Sequence, residues 1–193
     1  MKKHLKVLTL TTLASAVATI CFAAETVTVE SRKADGALNT PAWTEVSGKW
    51  KPSKNKSKVA QESSLVATNV SIVAASSPAP AFKILPVGLE TNISYKVEVT
   101  FCTSKTQPAA ADLVVAVTAD GASANTIPTN TTAFQGSGAN AWNLLGNITP
   151  ATEKPSLTFT YASGTLSTNS RWYADAIRFT PAGAPEAAAK KAE

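Results

Sequence analysis

Between residues 93 and 102, apolar side chains occupy every second position. The apolar positions are Ile93, Tyr95, Val97, Val99 and Phe101. An extended chain places alternate side chains on opposite faces, so this stretch predicts a β-strand with one buried face. The alternation recurs at residues 26–30, 66–72 and 156–161, and the apolar run at 113–117 suits a strand covered on both faces. No amphipathic helical pattern of useful length competes, so the chain is predicted to be all-β.

Turn-forming residues separate these runs. They include Asp35-Gly36, Ser47-Gly48, Pro86-Val87-Gly88, Asp120-Gly121 and Ser163-Gly164. Frequent turns between short strands are typical of an antiparallel β-sandwich or barrel. The 193 residues show no internal repeat and no linker, so we expect one domain over residues 25–181. Residues 182–193 lack any large apolar side chain and are predicted to form a flexible or weakly helical tail.

Residues 1–24 have the pattern of a secretory signal peptide. Three lysines precede an apolar and small-residue stretch at 7–22, and Ala23 or Ala24 offers a small residue for cleavage. A membrane anchor is the alternative, but threonines and serine interrupt the stretch and it is shorter than a span prefers. A lipoprotein would use Cys21, although Ile20 stands where a small residue is expected. We expect a cleaved, exported protein, located in the periplasm, at the cell surface or in the medium, without a membrane span after cleavage.

Cleavage would change the chemistry available to the chain. It removes the single histidine, His4, together with Cys21, and three of the 18 Lys and Arg residues, so the formal charge falls from +5 to +2. Nucleic-acid binding loses its main support, because a phosphate-binding surface needs a strong surplus of positive charge. Cys102 is then the one cysteine, which excludes an intrachain disulfide. Because no histidine remains, Cys/His zinc sites and His-dependent nucleophilic catalysis are excluded as well. We therefore expect a protein that is not an enzyme. A glycosidase or lyase with two carboxylates is the remaining enzymatic option among 13 Asp and Glu residues, although no pair stands out.

Asp175 has the parity of a core residue. Counted along a strand from Phe179 and Ile177, its side chain points the same way as theirs. A buried carboxylate is costly unless it is paired or hydrogen-bonded, so Asp175 is predicted to be structural and to have a specific partner. A structural calcium ion, with Glu30 or backbone carbonyls as further ligands, and direct ligand contact are the alternatives.

Tryptophans are the candidate ligand-binding residues. A flat indole can stack on the apolar face of a sugar ring, although a tryptophan in a sandwich is more often part of the core. Trp50 lies in a lysine-rich stretch and Trp172 on the parity opposite Phe179, so both are predicted to be exposed. Trp142 shares parity with Leu144 and Ile148 and is predicted to lie in the core.

Residues 49–58 contain five lysines around Trp50. Lys49 and Lys51 are therefore predicted to contact an acidic polysaccharide beside the indole. The favoured alternative is that Lys54, Lys56 and Lys58 alternate along an edge strand, where positive charge discourages edge-to-edge pairing of sheets.

An ordered series of motifs resembles the golvesin C-terminal-like domain, which is also described as a xanthan lyase carbohydrate-binding-like domain. The motifs cover most of residues 47–180 and include Ser47-Gly48-Lys49-Trp50, Tyr95-Lys96-Val97-Glu98-Val99, Thr118-Ala119-Asp120-Gly121, Trp142-Asn143-Leu144-Leu145-Gly146 and Tyr173-Ala174-Asp175-Ala176-Ile177-Arg178-Phe179. The resemblance implies a jelly-roll-like, galactose-binding-like β-sandwich of secreted bacterial proteins that binds carbohydrate. It carries no catalytic set, and it implies a structural role for Asp175.

Together these observations favour an exported, non-catalytic module that binds a polysaccharide or cell-envelope glycan. The alternative is a structural or assembly subunit of the cell surface, the extracellular matrix or a filament. That alternative implies self-association or a secreted protein partner that engages exposed strand edges.

Overall fold

The computed structural model describes residues 24–33, 35–48, 50–52, 70–71, 79–101, 114–134, 141–163 and 172–183. Regular structure in these ranges consists of β-strands. In chain order, they are β1 (Val27–Glu30), β2 (Trp43–Ser47), β3 (Lys51–Pro52), β4 (Val70–Ser71), β5 (Ala81–Ile84), β6 (Tyr95–Thr100), β7 (Val114–Asp120), β8 (Ala122–Asn125), β9 (Asn130–Thr131), β10 (Asn143–Pro150), β11 (Ser156–Ser163), β12 (Tyr173–Ala174) and β13 (Ala176–Pro181).

The strands form a sandwich with a jelly-roll order. In the described part of the chain, one antiparallel sheet runs β1-β13-β6-β10-β8 and the other β2-β5-β11-β7-β9. The two halves of a jelly roll are the four strands β1-β13-β6-β10 in the first sheet and β5-β11-β7-β9 in the second. Strand β8 extends the first sheet at its edge, and β2 extends the second. A small third sheet runs β12-β4-β3. The predicted all-β sandwich is confirmed.

The core follows the alternation read from the sequence. Along β6, Tyr95, Val97 and Val99 are fully buried, and Phe101 just beyond the strand is as well. Phe159 of β11 and Phe179 of β13 enter the same core. Burial of large apolar side chains supplies most of the driving force, about 1.5–3 kcal/mol for each. The side chains of one face of each sheet therefore hold the two layers together.

A bulge in β10 changes which side chains face the core. The sequence analysis placed Trp142 on the same face as Ile148, and the bulge lies between them. The register against β6 shifts between Leu144 and Gly146, where Gly146 has φ of 152°. An extra residue at a bulge moves the following side chains to the other face. Ile148 is therefore buried, whereas Leu144 is 59% exposed and Trp142 is half-buried on the outer side of the sheet. The prediction that Trp142 belongs to the core was wrong.

Some predicted features lie outside the described residues. These are the signal peptide up to residue 23, most of the strand predicted at 66–72, Cys102, and the tail beyond residue 183. Within the described ranges, there is no helix of the length and apolar character that crossing a membrane would take.

Candidate functional site

An open groove of about 800 Å³ lies where several loops meet at one end of the sandwich. It is formed by Pro41, just before β2, by the segment 85–91 between β5 and β6, and by residues 153–154 between β10 and β11. The jelly roll places these connections side by side although they are far apart in the sequence. A volume of this size is in the range of ligand pockets.

The groove combines an apolar surface with a polar rim. Pro41, Leu85, Pro86, Val87 and Leu89 supply the apolar part. Val87 stands out because 75% of its surface is exposed, whereas most large aliphatic side chains in the described ranges are buried or half-buried. Glu90, Thr91, Glu153 and Lys154 supply the polar groups, and all four residues are exposed. The site therefore offers contact area together with hydrogen-bond acceptors and donors.

Hydrogen bonds fix the loops that form the groove. The backbone N–H of Glu90 donates to the hydroxyl of Tyr95, at 2.9 Å, and the ring of Tyr95 is fully buried. The N–H of Leu85 donates to the carbonyl of Ala42, at 2.8 Å, which joins two walls of the groove. The N–H of Asn92 donates to the carbonyl of Pro150, at 2.9 Å, next to the third loop. These hydrogen bonds connect the loops of the groove to the core. Because the loops are already ordered, binding a ligand costs less conformational entropy.

Trp50 and Trp172 are not exposed, contrary to the prediction from the sequence. Trp50 is 6% exposed and Trp172 is 0% exposed. Their ring centroids are 5.1 Å apart, within an aromatic cluster that also contains Trp43, Phe82, Phe134 and Phe159. The indole N–H of Trp50 donates to the carbonyls of Ser47 and Ala81. Neither ring is available to stack on a ligand in this fold.

A strand break explains the error for Trp172. Strand β12 ends at Ala174 and β13 begins at Ala176, so the parity of β13 does not extend back through Asp175. Strand β12 pairs with β4 of the small sheet, whereas β13 pairs with β1 and β6. The polar neighbours of Trp50 were equally misleading, because the ring turns inward. Lys49 and the side chain of Lys51 lie outside the described residues, and their predicted contact with a polysaccharide stays a prediction.

Asp175 is buried, as predicted, although it lies at the break between β12 and β13 and not within the strand whose alternation was counted. It is 2% exposed, and its backbone carbonyl accepts a hydrogen bond from the N–H of Ser31, at 2.8 Å. It lines a small internal gap together with Val29, Val99 and residues of the aromatic cluster. Glu30 is also buried, at 1%. Among the described residues, no three His, Cys, Asp or Glu side chains converge in a group that could hold a metal ion. The calcium alternative stays a prediction.

A charged cluster on the outer face of the first sheet was missed from the sequence. Arg178 of β13 is directly opposite Glu98 of β6 and donates to its Oε2 from Nη2 at 2.7 Å and from Nε at 3.0 Å. Lys96 Nζ lies 3.4 Å from Oε1 of Glu98. The Arg178 guanidinium lies 4.4 Å from the centre of the Trp142 ring. Because the guanidinium covers one face of this indole, the cluster is a stabilising contact rather than an open stacking platform.

Comparison with known proteins gives a similarity of fold. No family model matches the chain, and no curated protein matches it either. Among solved structures, the chain is similar to part of a Paenibacillus xanthan lyase, with a TM-score of 0.57 and 18% sequence identity. The match covers 82% of this chain and 13% of the lyase. It supports the resemblance to a xanthan lyase domain at the level of fold, and membership of the golvesin C-terminal-like family stays a prediction.

Proposed function

We propose that this protein is an exported, non-catalytic module that binds carbohydrate in the loop-end groove. The observation that carries the proposal is the groove itself: a preformed, open site with an exposed valine and four polar residues at its rim. A sugar ring has an apolar face and a perimeter of hydroxyl groups. Such a ligand can cover Val87 while its hydroxyls bond to Glu90, Thr91 or Glu153.

The open shape of the groove suits a polymer. A groove that is not closed over its ligand can accept an internal segment of a polysaccharide as well as a free chain end. The fold similarity to part of a xanthan lyase supports a polysaccharide as the class of ligand. Export through a signal peptide in residues 1–24 would place the module where such polymers occur.

Two carboxylates line the groove, which raises the question of catalysis. Glu90 and Glu153 are both exposed. In the lysozyme pattern, by contrast, the general acid lies in an apolar pocket. We therefore assign these side chains to hydrogen bonding with sugar hydroxyls. Release of reducing ends or of unsaturated products from a bound polysaccharide would contradict this assignment.

The proposal is tested by affinity electrophoresis of the purified protein in gels that contain soluble polysaccharides. We expect at least one neutral or acidic polymer to retard migration. Val87→Asn should weaken retardation roughly five-fold, because it removes about 1 kcal/mol of apolar contact. Val46→Asn is the matched control, since Val46 is 54% exposed but lies on β2 outside the groove. Equal effects of the two substitutions, or an unretarded parent protein, would contradict the proposal.

A structural or assembly subunit is the second candidate, and the edge of the second sheet favours it. Strand β2 is an edge strand in the described sheet, and Val46 on it is exposed. Exposed edges can pair with a second chain, although the bulge between Glu45 and Ser47 opposes regular pairing. Concentration-dependent assembly in sedimentation experiments, abolished by Val46→Lys, would favour this candidate over carbohydrate binding.

A further inference from the structure

The rim of the groove carries an uneven set of charges. Glu90 and Glu153 are acidic, while Lys154 is the one basic residue among those that line it. The formal charge of the lining is therefore −1. All three side chains are exposed, so none is committed to the core. A ligand segment in the groove would meet more negative than positive charge.

Of the lysine-rich stretch at residues 49–58, the structure describes Trp50 and the backbone of residues 51–52, and none of these lines the groove. Trp50, at the start of this stretch, donates its indole N–H to the carbonyl of Ala81, the first residue of β5. The groove begins at Leu85, beyond the other end of the same strand. The rise of a strand separates these two positions by about 13 Å. The described start of the lysine-rich stretch thus lies about 13 Å from the groove along β5 and contributes no residue to its lining.

We infer that the groove selects neutral polysaccharides and discriminates against acidic ones. This inference rests on the proposed function and specifies its class of ligand. The carboxylates of Glu90 and Glu153 accept hydrogen bonds from hydroxyl groups but repel the carboxylate of a uronic acid or of an acidic substituent. Across about 6 Å of water, one such repulsion changes a binding constant about three-fold. The acidic polysaccharide expected for Lys49 and Lys51 is accordingly not the ligand of this groove.

Matched polymers separate charge from sugar identity. Three pairs share a backbone within each pair: hydroxyethylcellulose and carboxymethylcellulose, starch and carboxymethyl starch, and guar galactomannan and its carboxymethyl form. Affinity electrophoresis at about 20 mM salt keeps electrostatic screening weak. We expect at least one neutral polymer to bind, and its carboxymethyl partner to bind at least three-fold more weakly. Raising the salt to about 0.5 M should narrow that difference.

Charge variants connect the selectivity to the groove. Glu90→Gln and Glu153→Gln keep the shape of each side chain and should each reduce the preference for the neutral polymer about three-fold at low salt. Glu45→Gln is the matched control, because Glu45 is exposed on β2 and does not line the groove. Tighter or equal binding of the carboxymethyl polymers would overturn the inference but leave the proposed function standing. Absence of binding to all six polymers would contradict both. A preference that is unchanged in both Gln variants would also overturn the inference.

Discussion

The hydroxyl of Tyr95 accepts a hydrogen bond from the backbone N–H of Glu90, at 2.9 Å, and so connects the centre of the core to the rim of the groove. The tyrosine ring is fully buried, whereas Glu90 is exposed. One side chain therefore both fills the sandwich and holds a loop in place. This arrangement links the packing of the fold to the shape of the candidate binding site.

Replacing Tyr95 by phenylalanine should separate these two roles. Tyr95→Phe keeps the ring in the core but removes the acceptor for the Glu90 N–H, so we expect a loss of about 1 kcal/mol in unfolding free energy. The free energy of polysaccharide binding should fall by more than the free energy of unfolding, because the loop at Glu90 loses its hydrogen bond to the core. Urea unfolding and affinity electrophoresis measure the two effects. Tyr161→Phe, at the other end of the sandwich, should leave the affinity unchanged. An equal loss of affinity in both variants would contradict the anchoring role of the Tyr95 hydroxyl.

The indoles of Trp50 and Trp172 should be needed for folding. Each is buried in the aromatic cluster, so Trp50→Ala and Trp172→Ala are expected to cost about 3–5 kcal/mol in unfolding free energy. Trp142→Ala should cost less, because Trp142 is half-buried on the outer face. Thermal unfolding followed by circular dichroism gives the comparison. A fully stable Trp50→Ala or Trp172→Ala variant would show that the aromatic cluster is not the core.

Gly146 should tolerate no side chain. Its φ is 152°, and a Cβ atom would lie 2.8 Å from the backbone N and Cα of Ile127. We expect Gly146→Ala to cost about 2–4 kcal/mol, since both backbone strain and a clash with main-chain atoms are involved. Gly36→Ala is the control, because Gly36 also has a positive φ but a Cβ there meets nothing within 4 Å. Its cost should be about 1 kcal/mol, the ordinary penalty for a side chain in the left-handed region. Equal urea midpoints for the two variants would contradict the role of the bulge.

Arg178 should stabilise the protein through the buried carboxylate of Glu98. The Glu98 side chain is 8% exposed, so Arg178→Ala would leave it without its closest cation and should cost about 2–3 kcal/mol. Lys96→Ala should change stability by less than about 1 kcal/mol, because Lys96 is 38% exposed. The double variant Arg178→Met, Glu98→Leu should recover part of the loss in chemical denaturation. A double variant as unstable as Arg178→Ala would contradict the account of a stranded charge.

Regular strands were predictable from the sequence because one face of each is buried in the sandwich. The alternation at 93–101 corresponds to β6 and its flanks, and that at 156–161 lies within β11. The prediction for Trp142 failed where a single bulge at Gly146 changed the parity. The prediction for Trp172 failed where the chain leaves one sheet for another at Asp175. A period of two holds only within an uninterrupted strand, and these interruptions depend on tertiary contacts.

The groove was not predictable because its parts are distant in the chain. Pro41, Val87 and Glu153 come together only after the jelly-roll connections have formed. The turn at Pro86-Val87-Gly88 was visible in the sequence, and an apolar residue inside a turn is a weak sign of an exposed contact. Nothing in the sequence indicated which other loops would face it.

The most direct test of carbohydrate binding in the groove is an amide NMR titration with an oligosaccharide of the polymer that retards the protein most. The groove account predicts saturable chemical-shift changes that are largest in residues 85–91 and at Glu153 and Lys154. It predicts small changes around Leu144 on the outer face and around Val46 on β2. Shifts concentrated at either of those two places, with residues 85–91 unaffected, would contradict it.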